Sequence, residues 1–108
     1  MYEYNCTLDR VVDGDTVDVN IDLGFDINFK TRVRLLGINC PEVRTRDNVQ
    51  KMKGLAAKNR VKELLVDEFI IHTVLDKRGK YGRVLGTLIV DGQDINQLLI
   101  EEGHAVKS

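Results

Sequence analysis

Along residues 16–23 apolar and polar side chains alternate strictly, with Val17, Val19, Ile21 and Leu23 set against Thr16, Asp18, Asn20 and Asp22. A period of two puts one set on a core face and the other in solvent, which predicts a half-exposed strand. Gly24 and its neighbours mark a hairpin turn, and Ile27, Phe29, Thr31, Val33 and Leu35 alternate back along a long returning strand. Cys6 to Val12 reads as an earlier strand, ended by the turn signal Asp13-Gly14-Asp15. At the end of the returning strand Val33 and Leu35 share one face, and Arg34 and Leu36 the other. Gly37 then permits a sharp or bulged exit. Pro41, the only proline, fixes φ and lacks a donor, so the ladder ends there.

Val43 to Lys53 has no clear period and carries Arg44, Arg46, Lys51 and Lys53, which predicts a mobile loop ended by Gly54. Leu55, Ala56, Val61, Leu64 and Leu65 form one helical stripe opposite Lys58, Asn59, Arg60, Lys62 and Glu63, predicting a helix over 55–66. Phe69 to Leu75 is β-branched and apolar, as in a buried strand, and Asp76 to Gly82 reads as a polar loop. Val84 to Val90 is a further strand, ended by Asp91-Gly92. Asp94 can cap a short helix from Ile95 to Glu102, with Ile95, Leu98 and Leu99 inward and Gly103 as its stop. Three strands, a helix, two strands and a helix suit a mainly β, α+β domain. The expected architecture is a five-stranded closed barrel of OB type, with one helix after strand 3 and a short C-terminal helix. An open α+β sheet is the alternative.

The 108 residues are enough for one domain with a modest core. No apolar run approaches a membrane span, and the first residues have no basic region followed by an apolar core. The expected location is therefore cytoplasmic, unless a leader has been removed. Cys6 and Cys40 form no metal or redox motif, so reduced thiols are expected. A net charge of −1 argues against a polyanionic partner until its distribution is read. Residues 1–29 hold seven acids and one base, whereas residues 30–62 hold ten bases against Glu42 and Asp47. Lys77, Arg78, Lys80 and Arg83 add to the basic side. A locally basic surface can serve nucleic acid whatever the total charge. Lys58 and Lys62 read as solvated helix surface.

Elimination narrows the chemistry. The only serine is Ser108, so no serine triad exists, and His72 and His104 are isolated. His72 lies in the apolar 69–75 run, where it reads as a satisfied core residue. There is no Walker loop, HExxH or CxxC. Asp13-Gly14-Asp15 begins like a calcium loop, but Val17 stands where the next oxygen ligand is needed. Asp15 and Glu42 could face each other as a glycosidase pair, but the arginines then have no task. Carboxylates with arginines fit phosphodiester hydrolysis. That reaction needs a positioned water, a base, and positive charge where the transition state gains negative charge. A hard cation held by oxygens can polarise the phosphate. Asp15, Asn39 and the Cys40 carbonyl are candidate metal ligands, Glu42 the candidate base, and Arg34 and Arg83 the phosphate clamp.

Over roughly residues 6–106 the chain resembles the staphylococcal nuclease-like (thermonuclease) family. The resemblance rests on Val12-Asp13-Gly14-Asp15-Thr16-Val17, Arg34-Leu35-Leu36-Gly37-Ile38-Asn39-Cys40-Pro41-Glu42, Lys80-Tyr81-Gly82-Arg83, and the ending from Gly92 to Ala105. It implies an OB barrel and a calcium-dependent nuclease that acts on DNA and RNA, preferably single-stranded, and leaves 3′-phosphates. It matches Asp15, Asn39 and the Cys40 carbonyl to calcium ligands, Arg34 and Arg83 to catalytic arginines, and Glu42 to the general base. Lys80 and Tyr81 match contacts to a nucleotide phosphate, and Asp13 an acid behind the metal. Three departures stand out. Asn39 occupies a position that is usually aspartate. The hairpin between Thr16 and Arg34 is longer than in well-known members. Ser108 falls where those members continue with substrate-contacting tyrosines and a third helix, so stacking on those tyrosines is expected to be missing. The alternative function is a catalytically weak OB module that binds nucleic acid or protein. A phosphate-ligand or structural barrel is a third.

Overall fold

In the computed structural model, residues 2–75 and 84–108 are described. Long strands β1 (Tyr2–Asp13), β2 (Thr16–Asp22) and β3 (Asn28–Leu35) are followed by the two-residue β4 (Ile38–Asn39) and helix α1 (Asn48–Leu64). Strands β5 (Phe69–Leu75) and β6 (Val84–Val90), the short β7 (Gln93–Asp94), helix α2 (Ile95–Glu101) and the short β8 (Val106–Lys107) complete the order.

The long strands run β3-β2-β1-β5-β6, and a parallel pairing of β3 with β6, from Val33↔Val84 to Leu35↔Gly86, closes the ring. The result is the expected five-stranded barrel with two helices, not an open sheet. Register shifts at Leu8/Arg10 and Val11/Asp13 leave Asp9 and Val12 as extra residues in β1. Such bulges bend and twist a strand, which helps a five-stranded sheet to curl shut. At the closure a Cβ on Gly86 would lie 2.9 Å from Ile71 Cδ1 and 3.1 Å from Val33 Cγ1, so a side chain there would have to displace Ile71 or Val33 where the two strands meet. Val17, Val19, Val33, Ile71 and Leu88 fill the barrel at 0% exposure, and Ala57, Val61, Ile95 and Leu99 of the helices close over it at the same value.

Helix α1 starts seven residues earlier than the periodicity implies. Asp47 is its N-cap, accepting from the amides of Val49 (2.9 Å) and Gln50 (3.3 Å), so 48–53 is helix where a mobile loop was expected. That first stretch is mostly polar and wholly exposed, Val49 and Met52 included, so it carries no hydrophobic period to read. Gly54 is not a breaker. It lies inside the helix, where a Cβ would come within 2.9 Å of the carbonyl oxygens of both Pro41 and Glu42. The buried stripe is Gly54, Ala57 and Val61, continuing to Leu65, while Leu55 and Ala56 are exposed. Helix α2 begins at Ile95 under the Asp94 cap, which accepts from Gln97 N at 3.0 Å, and Gly103 turns the chain away at φ +80°.

Two further expectations change. His72 is not a core residue: Phe69 and Ile71 take the inner face of β5, so His72 points outward and its Nε2 lies 3.2 Å from Glu3 on β1. Phe29 keeps the core phase of β3, and Ile27 just before it, but they are 49% and 56% exposed. The β1–β2 pairing stops at Cys6↔Ile21, so beyond it the hairpin projects as a two-stranded ribbon, with no third strand beside it among the described residues.

Candidate active site

The turn Asp13-Gly14-Asp15 joins β1 to β2 and carries two acids on either side of a glycine. A Cβ on Gly14 would lie 2.7 Å from Ala57 Cβ and 2.9 Å from Cys40 Sγ, so the turn is pressed between α1 and the segment after β4. From there each acid reaches across to the same segment. Asp15 Oδ2 accepts from Cys40 N at 2.8 Å, and Asp13 Oδ1 accepts from Val43 N at 3.1 Å. The two clamped amides stand on either side of Pro41 and Glu42, so the backbone that carries Glu42 is held at both ends. Glu42 itself is exposed, and among the described residues its carboxylate takes part in no hydrogen bond or ion pair.

Arg34 lies opposite Thr16 in the β2–β3 ladder. Its Nη1 is 3.2 Å from Asp15 Oδ2 and also donates to the carbonyls of Asp15 (3.3 Å) and Leu35 (3.4 Å). Its Nη2 donates to Asn39 Oδ1. Asn39 is placed by a small second sheet: Gly37 turns the chain at φ +79°, and β4 pairs with β8 through Asn39↔Val106 and Ile38↔Lys107. Ser108 N adds a bond to Gly37 O at 3.0 Å. Asp15, Arg34 and Asn39, far apart in sequence, are thus one bonded cluster, with Cys40 and Glu42 on the turn beside it. Lys80, Tyr81 and Arg83 lie outside the described residues.

Asp15 is 8% exposed, and a carboxylate so placed needs partners for both oxygens. Arg34 and the Cys40 amide serve Oδ2, and Thr16 Oγ1 donates to Oδ1 at 3.0 Å. Burial, followed by the nearby charge of Asp15, pushes the Cys40 thiol up to about 12. Its sulfur therefore stays protonated at neutral pH. The donors here are the Asp15 carboxylate, the Asn39 amide oxygen and the Cys40 carbonyl, a hard-oxygen set suited to Ca²⁺ or Mg²⁺. With one formal carboxylate, already paired to a guanidinium, that set fits a weak cation site. Among the described residues no three His, Cys, Asp or Glu side chains gather in a stronger one.

Two supporting residues escaped the sequence reading. Thr16 orients Asp15, as above. Asn96, 4% exposed in α2, donates from Nδ2 to the carbonyls of Leu36 (2.9 Å) and Gly86 (3.1 Å) and accepts from Leu88 N at 3.2 Å. It ties the end of Arg34's strand to β6 and satisfies backbone groups that would otherwise be buried unpaired. The signal for it was an amide between Ile95 and Leu99 on the inward face of a short helix.

Residues 32–108 match the family described as Staphylococcal nuclease homologue, more than half of the chain. The chain is 36% identical over 104 residues to "Endonuclease YncB" of Bacillus subtilis (strain 168), covering 94% of this chain and 46% of that protein. It is 38% identical over 102 residues to "SPbeta prophage-derived endonuclease YokF" of the same organism, covering 92% of this chain and 32% of that protein. To "Thermonuclease" of Staphylococcus intermedius it is 33% identical over 97 residues, covering 89% of this chain and 55% of that protein. The chain thus spans less than half the length of the two Bacillus proteins. The motifs around Asp15 and Arg34, the closed barrel that brings them together and the extent of these matches agree, and the chain belongs to the staphylococcal nuclease homologue family.

Proposed function

We propose that this domain is a metal-dependent nuclease that hydrolyses phosphodiester bonds of DNA and RNA with little sequence preference. The observation that carries the reading is the cluster of Arg34, Asp15 and Asn39 beside a Glu42 whose backbone is clamped by Asp13 and Asp15. Arg34 binds its neighbours through Nη1 and Nη2, and the other N–H groups of its fork are the donors proposed for a phosphate oxygen. Glu42, exposed beside the cluster, takes the proton from the attacking water. Arg83 is the second clamp by motif, with Lys80 and Tyr81 contacting a neighbouring phosphate. Calcium would be held by Asp15, Asn39 and the Cys40 carbonyl, and when bound it supplies Lewis-acid charge at the phosphate. By family resemblance the P–O5′ bond breaks and 3′-phosphates result, with single strands preferred.

The rival reading is an OB module that binds nucleic acid with little turnover. The Asn39 amide favours it, because the cation site then holds one carboxylate instead of two. A binding module has no use for Glu42 beside a phosphate site, which favours the nuclease. Incubation with denatured DNA in millimolar calcium, and then in chelator, separates the two. Chelator-sensitive cleavage to products that join a 5′-phosphorylated adaptor at the 3′ end only after 3′ dephosphorylation supports the proposal. Intact DNA under both conditions, with binding retained, leaves the binding module.

A further inference from the structure

A groove of about 370 Å³ opens beside Asn39, the residue that Arg34 binds. Asn39 and Pro41 form one wall, Gln50 and Lys53 of α1 the second, and His104 and Val106 after α2 the third. Nothing in the proposed reaction uses Gln50, Lys53 or His104. The inward stripe of α1, Val61-Ala57-Gly54, continues toward the N-terminus through Gln50, with Lys53 beside it. At that end the stripe changes from apolar to polar, so it faces a polar groove instead of the core. The close approach of Gly54 to the Pro41 and Glu42 carbonyls sets the distance between the first two walls. Lys53 and His104 bring donors, and among the described residues no acidic side chain lines the groove. Glu102 Oε1 lies 3.9 Å from His104 Nε2, but Arg60 engages both carboxylate oxygens of Glu102, at 2.7 and 2.8 Å. Pro41 and Val106 add apolar surface at the size of one nucleotide.

We propose that this groove is a substrate subsite. It holds the nucleotide of a single strand next to the phosphate that is cut, beside Asn39. This rests on the nuclease reading. The occupant is argued from continuity: Asn39, which Arg34 binds, is also part of the groove wall, so a strand whose phosphate sits on Arg34 and which runs past Asn39 enters the groove. Lys53 contacts the flanking phosphate, Gln50 and His104 offer hydrogen bonds, and Pro41 and Val106 support the sugar or base.

The test is a titration of ¹⁵N-labelled protein, in chelator, with a single-stranded tetranucleotide and separately with inorganic phosphate. A parallel assay follows hydrolysis in calcium. Amide shifts at Gln50, Lys53 and His104 with the tetranucleotide, and not with phosphate, are expected. Lys53→Ala should weaken tetranucleotide binding about three- to tenfold and raise KM with kcat kept, and each lost phosphate contact should lower the salt slope by about 0.7. Lys53→Arg should restore most of the affinity. Hydrolysis by the wild type with no shift in the groove overturns the subsite and leaves the nuclease reading standing. Shifts without hydrolysis support the subsite and overturn the nuclease. Equal shifts with inorganic phosphate overturn a nucleotide subsite in favour of a simple anion site.

Discussion

A single guanidinium, that of Arg34, ties Asp15 to Asn39 across the end of the barrel, and the residue-scale predictions follow from that contact. Arg34→Ala, Glu42→Gln and Arg83→Ala should each lower turnover, the loss of a positioned base costing on the order of 100-fold or more. Circular dichroism should show the Glu42 variant folded as the parent, since its side chain is exposed. Near-parental activity in all three would remove the reaction from this site. Asn39→Asp should tighten calcium binding in a calorimetric titration and raise activity at limiting calcium. The added charge acts at about 4 Å with roughly 4 kcal/mol at an effective dielectric of about 20, less desolvation. Arg34 draws on the same atom, so part of the added attraction goes to the guanidinium. Equal affinities would mean that position 39 does not face the cation. The buried thiols give a pH signature. Cys6 and Cys40 are each held near 12 against an ordinary 9.0, so above pH 9 the unfolded chain loses protons that the native chain keeps. Stability should therefore fall as pH rises from 9 toward 12, by at most about 1.4 kcal/mol per pH unit for each thiol. Urea unfolding at pH 8, 9 and 10 should show a shallower decline in Cys6→Ala than in the parent.

Among the elements, α1 does two things at once: it covers the barrel with Ala57 and Val61, and through Gly54 it rests on the Pro41–Glu42 backbone. Gly54→Ala sets these roles against each other. Helix propensity favours alanine by about 1 kcal/mol. Against that, a methyl 2.9 Å from two backbone carbonyls must push the helix or the turn away, and overpacking of this kind costs about 1–3 kcal/mol. The clash should win because backbone on both sides cannot yield as a flexible side chain would. The variant should lose stability on the order of 1 kcal/mol, and turnover should fall further than stability does because Glu42 moves with its turn. Met52→Ala, at a position 71% exposed in the same helix, should change neither. Gly54→Ala with parental stability and activity would show that the contact is slack. The turn Asp13-Gly14-Asp15 has the same economy, one acid clamping each end of the segment that carries Glu42.

Over the whole molecule, a net charge of −1 hides an acidic first third and a basic middle. Neutralising Arg44, Arg46, Lys51 and Lys53 together should weaken binding of single-stranded DNA and flatten its salt dependence by about 0.7 in log–log slope per lost contact, with turnover at saturation retained. An unchanged slope would make these residues solvated surface only. The alternation from Thr16 to Leu35, the Asp94 cap and the glycine turns were legible because strand period, capping and turn chemistry act over a few residues. The motif residues Asp15, Arg34, Asn39 and Glu42 were legible as chemistry for the same reason. What they touch was not. The start of α1 was hidden because its first turns bury nothing that a period would reveal. The outward His72 and the exposed Ile27 and Phe29 depend on which strands lie alongside, as does the satisfied Asn96. By itself the sequence determined the long strands, the Asp94-capped helix and the types of side chain available for phosphate chemistry. Only the closed barrel decided that Arg34 lies between Asp15 and Asn39, that the two acids of one turn clamp the backbone on either side of Glu42, and that Gly54 packs against the Pro41 and Glu42 carbonyls. Each of those contacts joins residues well separated along the chain, and a distance in space between such residues is set by topology and packing and not by local preference.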